Sequence, residues 1–344
     1  MRQDNSFKPY KCLLYKDNFD GIIDGKLAPP VEVSIDPVNA CNYKCQFCNA
    51  WRVLDGGMIP KRQMMYMLEE LARWGTEAVC FAGGGEPTVY PWLNETILKC
   101  NEVGLESAII TNGFNVRAEL MQTMVDNMKW IGISVDAAKK ETYNEIKQTN
   151  GFDTVIGNIK EAVWYRAKTG SKVGITFKFL IYHKNYKEIY DACKLAKDIG
   201  CDSFHMRPVD YLGYQDKEEN LDVKAINELV AKTMELDDDN FEVIPFFYNF
   251  DSNLKHKITF DKCEISPLIG LVMPSGWWVC LDRRGYPGLK ICEVDDIRKF
   301  WGSKKHLDIL KSIHPKDDCG KCTLAKYYPY FDSYRKDEFY WKFV

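Results

Sequence analysis

The 344-residue sequence has no run of about 18 or more apolar residues, the length a helix needs to cross a bilayer. Its first residues, Met1, Arg2, Gln3, Asp4 and Asn5, are polar or charged where a secretory leader would be apolar. A cytosolic protein, with no membrane partner, is therefore expected. Neither charge is in excess: 46 Lys and Arg stand against 49 Asp and Glu, a net charge of −3, and neither sign gathers in one half of the chain. That excludes nucleic-acid binding driven by bulk charge. Low-complexity linkers and short solenoid repeats are also missing. With 46% hydrophobic and 28% charged residues the composition is ordinary for a folded protein, and about 150 residues per domain allows one large domain or two moderate ones.

Cysteine, in contrast, is abundant, at 13 residues. Disulfides would explain them in a small exported chain, but the count is odd, there is no leader, and a chain of this length needs no staples. In a reducing compartment, clustered cysteines point to metal ligands or catalysts.

Apolar runs and turn residues alternate as strand and helix. Strands are predicted at Val31–Ile35, Ala78–Ala82, Glu106–Thr111, Trp130–Val135, Val173–Ile181 and Ser203–Val209. Helices are predicted at Lys61–Trp74, at Glu141–Lys168 with a break at Asn150 and Gly151, and at Tyr186–Ile199. Such a series implies βαβ units and a parallel sheet. After Tyr211 the rhythm changes: a helical pattern at Leu221–Leu236 and an apolar run at Phe241–Tyr248 lead into a cysteine-bearing tail with no further βα repeat. The reading divides the chain into an N-terminal extension at 1–30, an α/β barrel at 31–240 and a C-terminal cysteine domain at 241–344.

Just after the first strand stands Cys41-Asn-Tyr-Lys-Cys45-Gln-Phe-Cys48, a C-x3-C-x2-C loop. Three thiolates this close can wrap one face of a metal cluster. Zinc is the alternative, but a structural zinc site needs a fourth ligand and no nearby Cys or His supplies it. Three cysteines on a [4Fe–4S] cluster leave one iron open to a small molecule. The loop, with Gly83-Gly84-Gly85-Glu86-Pro87 after the second strand, resembles the radical S-adenosylmethionine (SAM) superfamily. The resemblance implies that Gly83, Gly84, Gly85 and Glu86 receive the amino group of SAM, Glu86 meeting its ammonium. It implies that Ser134 and a basic residue in the next helix hold the ribose and carboxylate. Lys147 stands where many relatives have arginine, and a helix-surface lysine is the alternative. Phe47 resembles the aromatic that packs near adenine, or is a core aromatic.

The tail carries Cys263, Cys280, Cys319 and Cys322, with gaps of 17 and 39 positions before the closing C-x2-C. This resembles the twitch domain, the shortened form of the SPASM domain, and implies a second [4Fe–4S] cluster on four cysteines; a zinc ribbon is the alternative. The expected fold is thus a partial (β/α)6 radical SAM barrel with a C-terminal twitch, SPASM-like, iron–sulfur domain. Cys292 is left over, either a packed small residue or a hydrogen-atom donor to a substrate radical.

The resemblance implies an oxidoreductase: a flavodoxin- or ferredoxin-type donor supplies an electron, SAM is cleaved, and the 5′-deoxyadenosyl radical takes a hydrogen atom from substrate. Three outcomes stay open. An alcohol carbon is oxidised through the second cluster, with Arg207 stabilising the alkoxide; or Cys292 returns a hydrogen atom in an epimerisation; or a carboxylate or other group is lost. Only some 30 residues precede the first strand, which favours a small carbohydrate-like substrate over a peptide. A non-catalytic iron–sulfur carrier is the remaining class, and it would need no SAM pocket.

Overall fold

The computed structural model describes residues 8–209, 221–246 and 258–336. The expected alternation is present: α1 (Lys16–Asp24), β1 (Glu32–Ile35), α2 (Lys61–Trp74), β2 (Ala78–Phe81), α3 (Leu93–Val103), β3 (Glu106–Thr111), α4 (Ala118–Asn127), β4 (Trp130–Ser134), α5 (Lys140–Lys147), α6 (Phe152–Thr169), β5 (Gly174–Ile181), α7 (Ile189–Ile199), β6 (Ser203–Pro208), α8 (Val223–Met234) and β7 (Glu242–Pro245). The helices follow their apolar stripes. Met64, Met67, Leu68 and Leu71, three and four apart, form the buried face of α2, and Gly75 closes the helix at φ 105°.

Strands β1 to β7 pair in parallel in sequence order. Residues turned toward the helices are almost fully buried, among them Val33, Val79, Ile109, Ile131, Phe177 and Phe204. Their alternates, including Cys80, Ile110, Ser134, Lys178 and Arg207, keep partial access to solvent. One face of the sheet therefore packs on helices and the other lines a lumen. Among the described residues the sheet does not close, so the barrel is partial.

The C-terminal region adds β8 (Ile269–Met273), β9 (Gly276–Trp278) and β10 (Lys290–Cys292), then α9 (Ile297–Phe300), α10 (Lys304–Lys311), α11 (Pro315–Asp318) and α12 (Tyr328–Arg335). Strand β8 pairs in parallel with β1, and β9 and β10 continue it as antiparallel neighbours.

The helical pattern and apolar run read after Tyr211 form a further βα unit, α8 and β7, with Glu242 opposite Ser203 on β6. The division drawn at residue 240 falls inside that unit, and the end of the apolar run, Phe247 and Tyr248, lies outside the described residues. The N-terminal segment packs on the C-terminal one. Phe19 of α1 meets Phe331 of α12 edge-on at 5.1 Å, and with Cys12, Phe260, Leu268 and Tyr328 they form a small second core.

Candidate active site

The first cysteine loop leaves the C-terminal end of β1, the end at which βα barrels assemble their sites. Cys41, Cys45 and Cys48 line a cavity of about 630 Å³ together with Gly83, Gly84 and Gly85. The loop is held by backbone contacts: Glu86 N–H donates to Ala40 O at 2.8 Å and Gln46 N–H to Ile146 O at 2.8 Å. Asn112 Nδ2 donates to Asn42 Oδ1 at 2.7 Å. The glycines serve this packing directly. A Cβ on Gly85 would fall on the backbone oxygens of Val38 and Ala40 and 2.7 Å from the Ala40 nitrogen, and one on Gly84 would lie 2.7 Å from the Val53 side chain. Close approach of two backbones, rather than a positive φ, demands glycine here.

Glu86 does not lie open to a ligand ammonium. It is buried, and Oε1 accepts from Thr88 N–H at 3.0 Å, Thr88 Oγ1 at 2.7 Å and Thr111 Oγ1 at 2.5 Å, while Oε2 accepts from Asn112 N–H at 2.7 Å. Burial pushes its carboxyl above the ordinary range against the pull of these donors. Glu86 ties the glycine turn to the end of β3, and the glycine backbone faces the cavity.

Lys147 is neither a surface lysine nor a free cation. Its ammonium pairs with Asp136 in a buried contact and stands 5.1 Å over the Phe47 ring. Burial alone would pull Lys147 down, but Asp136 and Cys45 hold it above the usual lysine value. Asp136, at φ 63°, also accepts from Leu180 N–H at 2.6 Å, so it locks α5 to the end of β5. Phe47 is buried edge-on against Tyr182 at 5.5 Å. Ser134 ends β4 on the lumen face, in register with Lys178, and Arg207 stands on the lumen face of β6 opposite Leu180.

The second cysteine set gathers from three segments. At Cys263, Cys280 and Cys322 the charge of other members of the set, Cys319 among them, raises the thiol pKa, though burial is the larger cause at each. Asp282 knits the set, pairing with buried Lys321 at 3.3 Å and accepting from Thr323 N–H at 2.6 Å. Burial pushes Asp282 up, but Lys321 and Thr323 reverse this and hold it at about 2. Both sets turn donors toward sulfur: Tyr43 N–H to Cys41 at 3.4 Å, Ala50 and Trp51 N–H to Cys48, Asp282 and Arg283 N–H to Cys280, and Leu324 N–H to Cys322. Such donors suit thiolates. Among the described residues no three His, Cys, Asp or Glu side chains gather tightly enough for a single metal ion.

Sequence reasoning missed the link between the two sets. Arg284, four residues after Cys280, donates from Nε to the fully buried Asp36 at 2.8 Å, and Gly84 N–H donates to the same Asp36 oxygen at 2.7 Å. The signal was an aspartate ending the first strand. Asp36 Oδ1, Asn39 Oδ1 and Gln46 Oε1 are buried without a hydrogen-bond partner, Gln46 on the cavity wall, so acceptors there suit a ligand bearing N–H groups.

Cys292 is not brought to this site. It sits on β10, the outermost strand and three strands from β1, opposite Trp277, among Asp296, Lys305, Glu293 and Lys290. The thiol is buried there.

Residues 35–177 match the family model of the radical SAM superfamily. The chain carries a radical SAM domain. Over 119 residues it is 34% identical to the S-adenosylmethionine-dependent nucleotide dehydratase of Flammeovirga pacifica, a match covering 33% of this chain and 41% of that protein, less than two thirds of its length. It is 26% identical over 216 residues to a probable GTP 3′,8-cyclase of Saccharolobus solfataricus, covering 61% and 68%. Its fold is similar to that of Streptococcus suis SuiB bound to the precursor peptide SuiA, with TM-score 0.69 and 18% identity over 93% of this chain and 76% of that one. It is also similar to anSMEcpe with bound AdoMet, with TM-score 0.63 and 17% identity over 87% of each. SAM and a [4Fe–4S] cluster are the cofactors expected of a radical SAM domain, and the cavity lined by three thiols, glycine backbone and an unpaired acceptor fits them.

Proposed function

We propose that this radical SAM enzyme takes a hydrogen atom from a small, carbohydrate-like substrate in the barrel lumen and oxidises its alcohol carbon to a carbonyl, one electron passing to a second [4Fe–4S] cluster and the hydroxyl proton to solvent. The observation that carries the reading is the second cysteine set, with its inward N–H donors and its Arg284–Asp36 tie to the glycine turn. Cys41, Cys45 and Cys48 would hold the first cluster, and Cys263, Cys280, Cys319 and Cys322 the second, as in a twitch domain. When bound and reduced, the first cluster supplies SAM cleavage and hence a carbon radical for hydrogen-atom abstraction.

The chain's own residues do the rest. Gly83, Gly84 and Gly85 present backbone to SAM, and Phe47 with the Lys147–Asp136 pair walls its site. Ser134 would face the ribose. Arg207, on the lumen face of β6, would contact oxygen atoms of the substrate. Four ligands on the second cluster leave no iron open to substrate, which suits electron transfer. An electron donor of flavodoxin or ferredoxin type and a cytosolic setting belong to the same reading, in keeping with thirteen free cysteines.

A second reading is a peptide substrate, favoured by the likeness to SuiB with its precursor peptide. Loss of a carboxylate or other group stays as the rival outcome, in keeping with the dehydratase relative. The test is anaerobic turnover of reconstituted enzyme with reductant and SAM, followed by mass spectrometry over sugar and peptide panels. A product lighter by two hydrogen atoms, with 5′-deoxyadenosine formed alongside, supports dehydrogenation. An unchanged mass or loss of a larger group overturns it.

A further inference from the structure

Most cations near the candidate site have a carboxylate of their own: Lys147 has Asp136, Arg284 has Asp36 and Lys321 has Asp282. Lys178 and Arg207 are different. They stand on the lumen faces of the adjacent strands β5 and β6, Lys178 opposite Ser134 and His205, Arg207 opposite Leu180 and so two residues nearer the cofactor end. Neither forms an ion pair among the described residues. Strand spacing and rise put their backbones about 8 Å apart, a gap two long side chains close onto one small group.

The groups around Lys178 do not neutralise it. Arg207 and Lys326 repel it, Cys80 faces it from β2, and Asp136 is already engaged by Lys147. Burial and the charge of Arg207 pull Lys178 down to about 8, and His205 beside it is held neutral by burial and by Lys178 and Lys326. Two like charges in a half-buried lumen are costly unless an anion completes them. Beside Lys178 the Trp130 ring lies 5.1 Å from the ammonium, stacked on His205 at 6.0 Å and fixed by its N–H bond to Thr176 Oγ1 at 2.6 Å. An aromatic wall next to a cation suits a polar ring carrying an acidic group.

We propose that Lys178 and Arg207 form the seat for an anionic group, phosphoryl or carboxylate, borne by the substrate. The proposal rests on the reading that the lumen receives that substrate, and it narrows the class from a carbohydrate-like molecule to an acidic one.

The test is acetylation of Lys178 in the reconstituted enzyme by acetic anhydride, followed by peptide mass spectrometry in chloride, formate or inorganic phosphate at equal ionic strength. An anion present at about four times its Kd should slow Lys178 modification about fivefold relative to chloride. Protection by phosphate alone assigns a phosphoryl group, and protection by formate, alone or as well, a carboxylate. Protection should vanish in Arg207→Met and return in part in Arg207→Lys, with iron content reporting that each variant is folded. Equal rates in all three salts, or full protection in Arg207→Met, overturn the seat. Conversion of SAM to 5′-deoxyadenosine, measured on the same sample, reports on the parent reading: product without protection sinks only the seat, and protection without product sinks only the radical chemistry.

Discussion

The two cysteine sets are built in opposite ways. The first is local: three thiols on one eight-residue loop, fixed by backbone hydrogen bonds and by the close approach of Gly85, and opening on the large cavity. The second draws its thiols from three segments spread over some 60 residues and is tied by charge, through Asp282 to Lys321 and Thr323. A local loop needs little besides steric fit, whereas a dispersed set needs polar bonds to bring its pieces together, because each closure costs chain entropy. The first should therefore be sensitive to added volume and the second to lost charge.

The largest effect separates the sets outright. Replacing Cys41, Cys45 and Cys48 together by Ala should abolish 5′-deoxyadenosine formation while leaving about four irons per chain on the second set. Iron and sulfide analysis of the anaerobically reconstituted variant decides this. Loss of all iron would show that the second set does not assemble on its own.

Next comes the charge that ties the second set. Asp282→Asn weakens one charged contact of the buried Lys321 ammonium, which should cost roughly 1.5–3 kcal/mol. The expected outcome is loss of the second cluster's iron with SAM cleavage retained. Wild-type iron content and an unchanged denaturation midpoint would remove Asp282 as the tie.

Smaller again is the steric test of the first loop. Gly85→Ala puts a methyl group against the Val38 and Ala40 backbone, an overpacking cost of about 1–3 kcal/mol. SAM cleavage should fall roughly tenfold to hundredfold, with the second cluster's iron untouched. If this variant cleaves SAM as well as wild type, the glycine turn does not position the loop.

The same local and dispersed contrast decides what was legible in the sequence. The strand–helix series and the C-x3-C-x2-C loop could be read because each lies within one stretch of chain, and α2 begins and ends at the predicted residues. Arg284 could not be assigned to Asp36, 248 positions away, without knowing that β8 returns to pair with β1. Lys147 could be read as a SAM contact or a surface lysine, but not as the partner of Asp136, because that residue follows the preceding strand and only the turn between them buries both. The donors to Glu86, Thr111 and Asn112, could not be assigned either, because they lie one βα unit away. The core formed by Phe19 and Phe331 joins the two ends of the described chain, a contact no window of sequence spans. The place of Cys292 was illegible for a different reason: proximity to the ligand cysteines in sequence says nothing about which edge of the sheet carries it.

The smallest effect tests whether the two regions share one stability. His306, in α10 of the C-terminal region, is buried, accepts from Gly302 N–H at 3.1 Å through Nδ1, and lies 4.7 Å from the Trp301 ring. Burial pulls its pKa from 6.5 down to about 4. The unfolded chain therefore binds a proton that the folded chain refuses, and the stability present above pH 6.5 is lost as pH falls toward 4. Between pH 6.5 and 5.5 the loss should be about 1 kcal/mol. Hydrogen exchange at those two pH values, corrected for the intrinsic rate, should show faster opening in α10 and β10 than in α2 and β3. His306→Gln should remove that difference. If α2 and β3 open to the same extent as α10, the sheet couples the regions into one cooperative unit despite their different construction.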